Sequence, residues 1–315
     1  MKKILTLLLS LIFCFALLSS CNSPALEIKK QLVIAYSTPS LQNSFWISVS
    51  GAMTKEAAKN NVNLIIRDAG SDISKQAADI EDFIQEKVDA ILLTPYDSVS
   101  LSPSIRNINK AGIPIIIVDI GVNDPKVKYN SLIITDNIKG GTLAGQWLVD
   151  YIKENKIANP TVGTIEAQLG AQNARERHMS FLNVMSENNI PVVLEQSADS
   201  LRDKAMVVME DFLQAKPNLT AVFAECDDMA LGANQAAKQA QSGTILIGYD
   251  GNRDVWREIN SGGNIKMDID QHPEEMGQMA VEMAIKQIRG EQIQDKVTIE
   301  PEIIQGSNVQ NYLNK

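Results

Sequence analysis

Two aspartates in this chain each end an apolar run beside a glycine. The segments Ile115-Ile116-Ile117-Val118-Asp119-Ile120-Gly121 and Ile245-Leu246-Ile247-Gly248-Tyr249-Asp250-Gly251 read as buried strands that deliver Asp119 and Asp250 at their carboxyl ends. A carboxylate in that position can accept from two vicinal hydroxyls, and charged acceptors make the stronger hydrogen bonds. One such Asp is commonly a helix cap or turn former; two at matching places favour a site between two similar lobes. A third stretch points the same way. The run Leu32–Ser37 reads as the first strand, and the loop from Thr38 brings Asn43, Phe45 and Trp46 to its carboxyl end, where open α/β sheets bind ligands. An amide beside two aromatics suits a polyol, with hydrogen bonds for hydroxyls and a ring face for the C–H side. Taken alone, aromatics at a helix start are more often core.

The elements that must position these residues alternate strand and helix from residue 31 onward. Strands are expected at 62–68, 90–94, 115–118, 131–135, 161–165, 192–196, 222–224, 244–249 and 264–269, with a last short one in the tail. Helical spacing, such as Ile73, Ala77, Ile80 and Ile84, fills the intervals. This alternation predicts an α/β fold of two similar doubly wound lobes, each with a parallel sheet covered by helices on both faces. At 315 residues and 44% apolar content the chain can fill two such cores.

The N-terminus carries a separate signal. Lys2 and Lys3 precede an apolar run, 4–18, of signal-peptide length and short for a membrane span. It ends in Leu18-Ser19-Ser20-Cys21, which resembles the lipobox of bacterial lipoproteins. That implies a signal peptide at 1–20, lipidation of Cys21, and a tether at 21–30. The formal net charge is −9 with Lys2 and Lys3 and −11 without them; a surface this acidic argues against nucleic acid as a partner. Of the three cysteines, Cys226 alone stands in the expected mature body, so no disulfide framework is expected.

Enzymatic readings find little support. His178 and His272 are the two histidines, neither at metal-ligand spacing from Cys226 or each other. There is no G-x-S-x-G elbow, Walker loop or G-x-G-x-x-G; Gly140-Gly141-Thr142-Leu143-Ala144-Gly145 has the wrong spacing and reads as close packing at a helix start. Cys226 stands beside Asp227, and an acidic neighbour raises a thiol's pKa, the wrong direction for a nucleophile. A non-enzyme without metal or cofactor is expected.

Six stretches together carry a family resemblance: Asn43-Ser44-Phe45-Trp46, Pro114 to Asp119, Thr135-Asp136-Asn137 with Gly140-Gly141, Ala174-Arg175-Glu176-Arg177, Val222 to Gly232, and Gly248-Tyr249-Asp250-Gly251. In this order they resemble the periplasmic sugar-binding proteins of the ribose- and galactose-binding type, whose fold is shared with the ligand domain of lac-class repressors. The resemblance runs over about 31–305. It implies a type I periplasmic binding protein: two lobes joined by a three-strand hinge, near Thr135–Asp136, Gln271–His272 and Glu300–Pro301, closing on one ligand. The lobes would comprise 31–135 plus 272–300, and 136–271 plus 301–315. Carried over by position, the resemblance puts Asn43, Phe45, Trp46 and Asp119 on the first lobe's wall, and Arg177, Cys226, Asp250 and Gln271 on the second lobe and hinge side. Arg177 supplies several fixed donors and Gln271 both donor and acceptor. Without the family, Arg177 would read as an ion pair with Glu176 or Asp199, and Gln271 as a strand-end cap.

Three departures bear on the ligand. Where the ribose-binding type has an arginine after the first-lobe Asp this chain has Ile120; for a second-lobe aromatic it has Ser200, and for an asparagine before the acidic pair it has Cys226. Polar groups left unpaired discriminate steeply, so a hexose, deoxy sugar, cyclitol or furanose-like molecule is expected in a roomier, less polar-lined pocket. The expected partners are that sugar or polyol and the membrane permease of an ABC-type importer, with a sensor kinase or chemoreceptor as the other possibility. The protein would be an extracytoplasmic, lipid-anchored monomer, at the periplasm or cell surface. A repressor reading lacks a DNA-binding headpiece.

Overall fold

The computed structural model describes residues 31–314. The expected signal peptide, the lipidation residue Cys21 and the tether lie outside the described residues.

The first half of the chain builds one six-stranded sheet. Its strands are β1 (Val33–Thr38), β2 (Asn63–Asp68), β3 (Ala90–Leu93), β4 (Ile115–Val118) and β5 (Ser131–Thr135), with β11 (Lys296–Ile299) added from near the C-terminus. The order is β11-β5-β4-β3-β1-β2, and every pairing is parallel. β3 and β4 are buried along their whole length, as strands covered on both faces must be, and their Ala/Ile/Leu/Val runs follow from that. β2, at the edge, is only partly buried.

The second sheet repeats the plan. It holds β6 (Val162–Glu166), β7 (Val192–Ser197), β8 (Ala221–Ala224), β9 (Ile245–Asp250), β10 (Ile265–Asp270) and β12 (Glu302–Gln305). The order is β12-β10-β9-β8-β6-β7, parallel except for β12, which runs antiparallel to β10.

The helices are α1 (Ser44–Lys59), α2 (Ile73–Glu86), α3 (Ser102–Ala111), α4 (Asn137–Glu154), α5 (Gln172–Glu187), α6 (Arg202–Ala215), α7 (Asp227–Gln239), α8 (Arg253–Asn260), α9 (Pro273–Ile288) and α10 (Val309–Leu313). Local chemistry starts and stops them. Asp72 caps α2 through Ser74 and Lys75 N–H, and Gly112 ends α3 at φ +71, a left-handed conformation that glycine adopts without steric cost. The short helix α8 was not expected from sequence, and the tail holds two strands where one was expected. None of the described helices is long and apolar enough to cross a membrane.

The chain passes from one sheet to the other three times. α4 follows β5 but packs on α5 and β10; α9 follows β10 but packs on α1, β3 and β4. The third passage is the short step from β11 to β12. In each sheet the connection order reverses once, between β1 and β3 and between β6 and β8. Doubly wound sheets open a crevice at the carboxyl ends of such strands, and here the two crevices face each other.

Candidate functional site

The loops at those strand ends close around a small cavity, with about 40 Å³ of space open to a water-sized molecule. All eight residues expected at the site line it: Asn43, Phe45, Trp46, Asp119, Arg177, Cys226, Asp250 and Gln271. So do Ile120 and Ser200, which puts all three departures from the ribose-binding pattern around the same cavity.

Asn43 is the N-cap of α1, its Oδ1 accepting from Phe45 N–H at 2.9 Å. That cap turns the helix so that Phe45 and Trp46 both belong to the hydrophobic core and border the cavity. These aromatics are therefore at once core residues and cavity lining. Trp46 Nε1 donates to Asp119 Oδ2 at 3.3 Å. Asp119 lies one residue past β4 at φ +66, and Asp250 ends β9 at φ +147. Both conformations are costly for residues with a Cβ, and such strain collects at functional sites. Ser200 (φ +60) and His272 (φ +55), beside Gln271, share the feature.

Arg177 is buried at the centre. Its guanidinium donates to Asn137 Oδ1 from Nε (3.3 Å) and Nη2 (2.9 Å) and to the Glu225 carbonyl from Nη1. It also lies over the Tyr249 ring at 3.6 Å. It forms no ion pair with Glu176 or Asp199. Gln271 Nε2 donates to Asp250 Oδ1 at 2.7 Å, so its amide is fixed by a carboxylate of the cavity wall. Gly140 and Gly141 make this possible: a Cβ would stand 2.1 Å from Tyr249 Oη at the first and 2.1 Å from the Arg177 carbonyl at the second.

Burial dominates the electrostatics. It raises the Asp119 carboxyl, with Arg177, Trp46 and Asn173 opposing. It also pushes Asp250 well up, reinforced by Asp227 and opposed by Arg177. Burial lowers Arg177 too, but Tyr249, Asp250, Asp119 and Glu225 outweigh it and the guanidinium stays charged. The Cys226 thiol is driven well up by burial, then by Asp250 and Asp228, which leaves it a neutral, small apolar wall.

Sequence reasoning missed Gln168 and Asn173, both on the cavity wall. Asn173 Nδ2 donates to Asp119 Oδ1 at 3.1 Å, from the second lobe to the first. Other bonds span the lobes as well. Gln168 Nε2 donates to the Tyr96 carbonyl (2.8 Å) and Gln172 N–H to Ser98 Oγ (3.0 Å). Ser44 N–H donates to Asp228 Oδ2 (2.7 Å) and Asn252 Nδ2 to Ser44 Oγ (2.8 Å). The structure is thus closed around the cavity.

One group of described side chains has metal-ligating composition: donor atoms of Glu166, His178 and Glu195 lie within 4.8 Å of one another. His178 Nδ1 meets Glu225 Oε1 at 2.6 Å and Nε2 meets Glu195 Oε2 at 3.2 Å. Burial pulls the imidazole pKa down, but the surrounding carboxylates raise it overall. Both ring nitrogens thus already face carboxylate oxygens.

Residues 34–292 match the family described as the periplasmic binding protein domain. The ribose import binding protein RbsB of Bacillus subtilis (strain 168) is 36% identical over 271 residues, 86% of each chain. Its counterpart in Escherichia coli (strain K12) is 32% identical over 305 residues, 96% of this chain and 98% of that one. A solved ABC transporter periplasmic solute binding protein from Actinobacillus succinogenes, with bound D-allose, is 29% identical, with a TM-score of 0.83 over 90% of this chain and 100% of that one. Another from Bacillus halodurans, with bound myo-inositol, is 27% identical, with a TM-score of 0.83 over 90% and 98%. The chain belongs to the periplasmic binding protein family and has its type I fold. These relatives are binding proteins for sugars and polyols, several of them components of ABC transporters.

Proposed function

We propose that this protein captures a small sugar or sugar-like polyol between its lobes and delivers it to the permease of an ABC-type importer, working outside the cytoplasm from a lipid anchor on Cys21. One observation carries the reading: carboxylates from both lobes, Asp119 and Asp250, border a single cavity with Arg177 charged near them and two aromatic rings on the wall. Hydroxyls pair with the carboxylates, amides and guanidinium, and the C–H face lies on Phe45 and Trp46. Binding alone accounts for these groups; with Cys226 held neutral, turnover has no nucleophile in this reading. Exchange between an open form and this closed one follows from ligand contacts made by both lobes at once.

The ligand in this reading is a hexose, deoxy sugar, cyclitol or furanose-like molecule, not ribose. Support comes from Ile120, Ser200 and Cys226, which stand on the wall without the polar and stacking groups of the ribose pattern. Calorimetric titration with D-ribose, D-allose, myo-inositol, D-fucose and L-arabinose tests it. Tight binding of a member other than ribose is expected; tight binding of ribose with no competitor would overturn the ligand assignment.

A further inference from the structure

Asp227 opens α7 directly behind the cavity and is fully buried. Its Oδ1 accepts from Tyr249 N–H at 3.0 Å, and its Oδ2 from Gly251 N–H at 3.1 Å and Asn252 N–H at 2.7 Å. These are the backbone donors on either side of Asp250. In return, Asp227 N–H donates to Asp250 Oδ2 at 3.2 Å. One carboxylate thus holds the turn that keeps Asp250 at its φ of +147.

A second carboxyl lies against it. Asp268, on the adjacent strand β10, is also fully buried and hydrogen-bonds the Asp227 side chain. Its Oδ2 accepts from Trp256 Nε1 at 2.7 Å, while its Oδ1 receives no N–H or O–H donor. Gly248 leaves the room between them: a Cβ there would stand 2.4 Å from Asp227 Oδ1 and 3.3 Å from Asp268 Oδ1. Two carboxyl groups cannot hydrogen-bond each other unless one carries a proton.

We propose that Asp227 and Asp268 share one proton as a carboxylate–carboxylic acid pair, and that this pair is the positioning device for Asp250. The inference rests on Asp250 being a ligand residue. Three backbone donors place the charge on Asp227, so the proton sits on Asp268, on the oxygen that nothing else serves. The other ionisable groups facing the pair are Asp228 and Cys226 beside it on α7, Asp250 on β9, Asp270 on β10, and Arg177 from α5, which acts on Asp250. Arg202 and His272 are engaged by Asp228 and Asp270. Burial raises both carboxyls of the pair, reinforced by Asp268 at Asp227 and by Asp270 at Asp268. The pair's proton is therefore held at neutral pH and released only as pH rises into the alkaline range, when a second buried charge loosens the turn.

Backbone amide NMR of the full chain between pH 6 and 9.5 tests this without any ligand. The Tyr249, Gly251 and Asn252 resonances should shift together toward the alkaline end of that range. Asp268→Asn, whose amide can donate as the protonated acid does, should keep the pH 6 positions and abolish the shift. The wild-type infrared spectrum at pH 7 should hold a protonated-carboxyl band that Asp268→Asn removes. Static resonances in the wild type, or a wild-type-like shift in Asp268→Asn, would overturn the proposal. A sugar panel without a binder would instead overturn the reading of the cavity, and the titration of the pair would survive it.

Discussion

Asn173 and Asp119 come from opposite lobes and meet at 3.1 Å inside the cavity, Nδ2 on Oδ1. The bond exists only while the lobes are closed. Asn173→Ala should therefore weaken ligand affinity by the worth of one buried hydrogen bond, about 0.5–1.5 kcal/mol or roughly 2–13-fold. Unfolding of either lobe should hardly change. Small-angle scattering of the ligand-free variant should report a larger radius of gyration than wild type, and an unchanged radius would show that this bond does not favour closure.

Asp119 should trade stability against binding. Burial raises its carboxyl and its backbone is left-handed, so the folded protein bears a cost there. Asparagine keeps the shape, tolerates that φ, and gives up the charge. Asp119→Asn should leave the ligand-free melting temperature equal or higher. Affinity for the sugar found by the panel should fall about 10–150-fold, the value of a hydrogen bond to a charged group. Undiminished affinity in calorimetry would remove Asp119 from the site.

Much of this arrangement was legible in the sequence. Strand-end Asp119 and Asp250 stood out because apolar runs delivered them, and Asn43, Phe45 and Trp46 because they followed the first such run. Asn173 carried no comparable mark: an amide at a helix start has no periodicity, and its role comes from the approach of the other lobe. The Asp227–Asp228 pair was visible as a motif, but not its division of labour, in which Asp227 faces inward to the turn and Asp228 pairs with Arg202 and Ser44 N–H. Helix α8 escaped because two turns with Val255, Trp256 and Ile259 buried offer too few residues to set a period.

The glycines of α4 give a packing prediction. Gly141→Ala would drive a methyl against the Arg177 carbonyl and Ser180 Oγ, forcing α4 off α5 at an overpacking cost of about 1–3 kcal/mol. Because Arg177 moves with α5, binding should fall as well. Gly51 in α1 faces open space, so Gly51→Ala should stabilise by about 0.5–1 kcal/mol. Urea unfolding of the two variants checks both signs.

His178 makes a pH prediction. Burial lowers its pKa, but Glu225, Glu166 and Glu195 raise it overall. Relative to the unfolded imidazole near 6.5, its contribution to stability is complete below that pH and is lost as pH rises through the higher folded value. Urea midpoints should fall with pH above about 6.5. His178→Gln should make that decline shallower, leaving the part that belongs to the buried carboxyls raised by burial; an unchanged slope would show that His178 is not held as an imidazolium.

The passage from β11 to β12 also governs how the chain can fold. These two strands complete one edge of each sheet, and both come from the last 20 residues, at 296–299 and 302–305. A nascent chain that has emerged as far as residue 290 carries all the cavity's residues yet has neither sheet finished. Each sheet therefore receives an edge strand only after every cavity residue has been synthesised. The two sheets are completed by the same stretch of chain, so both wait on the same late event.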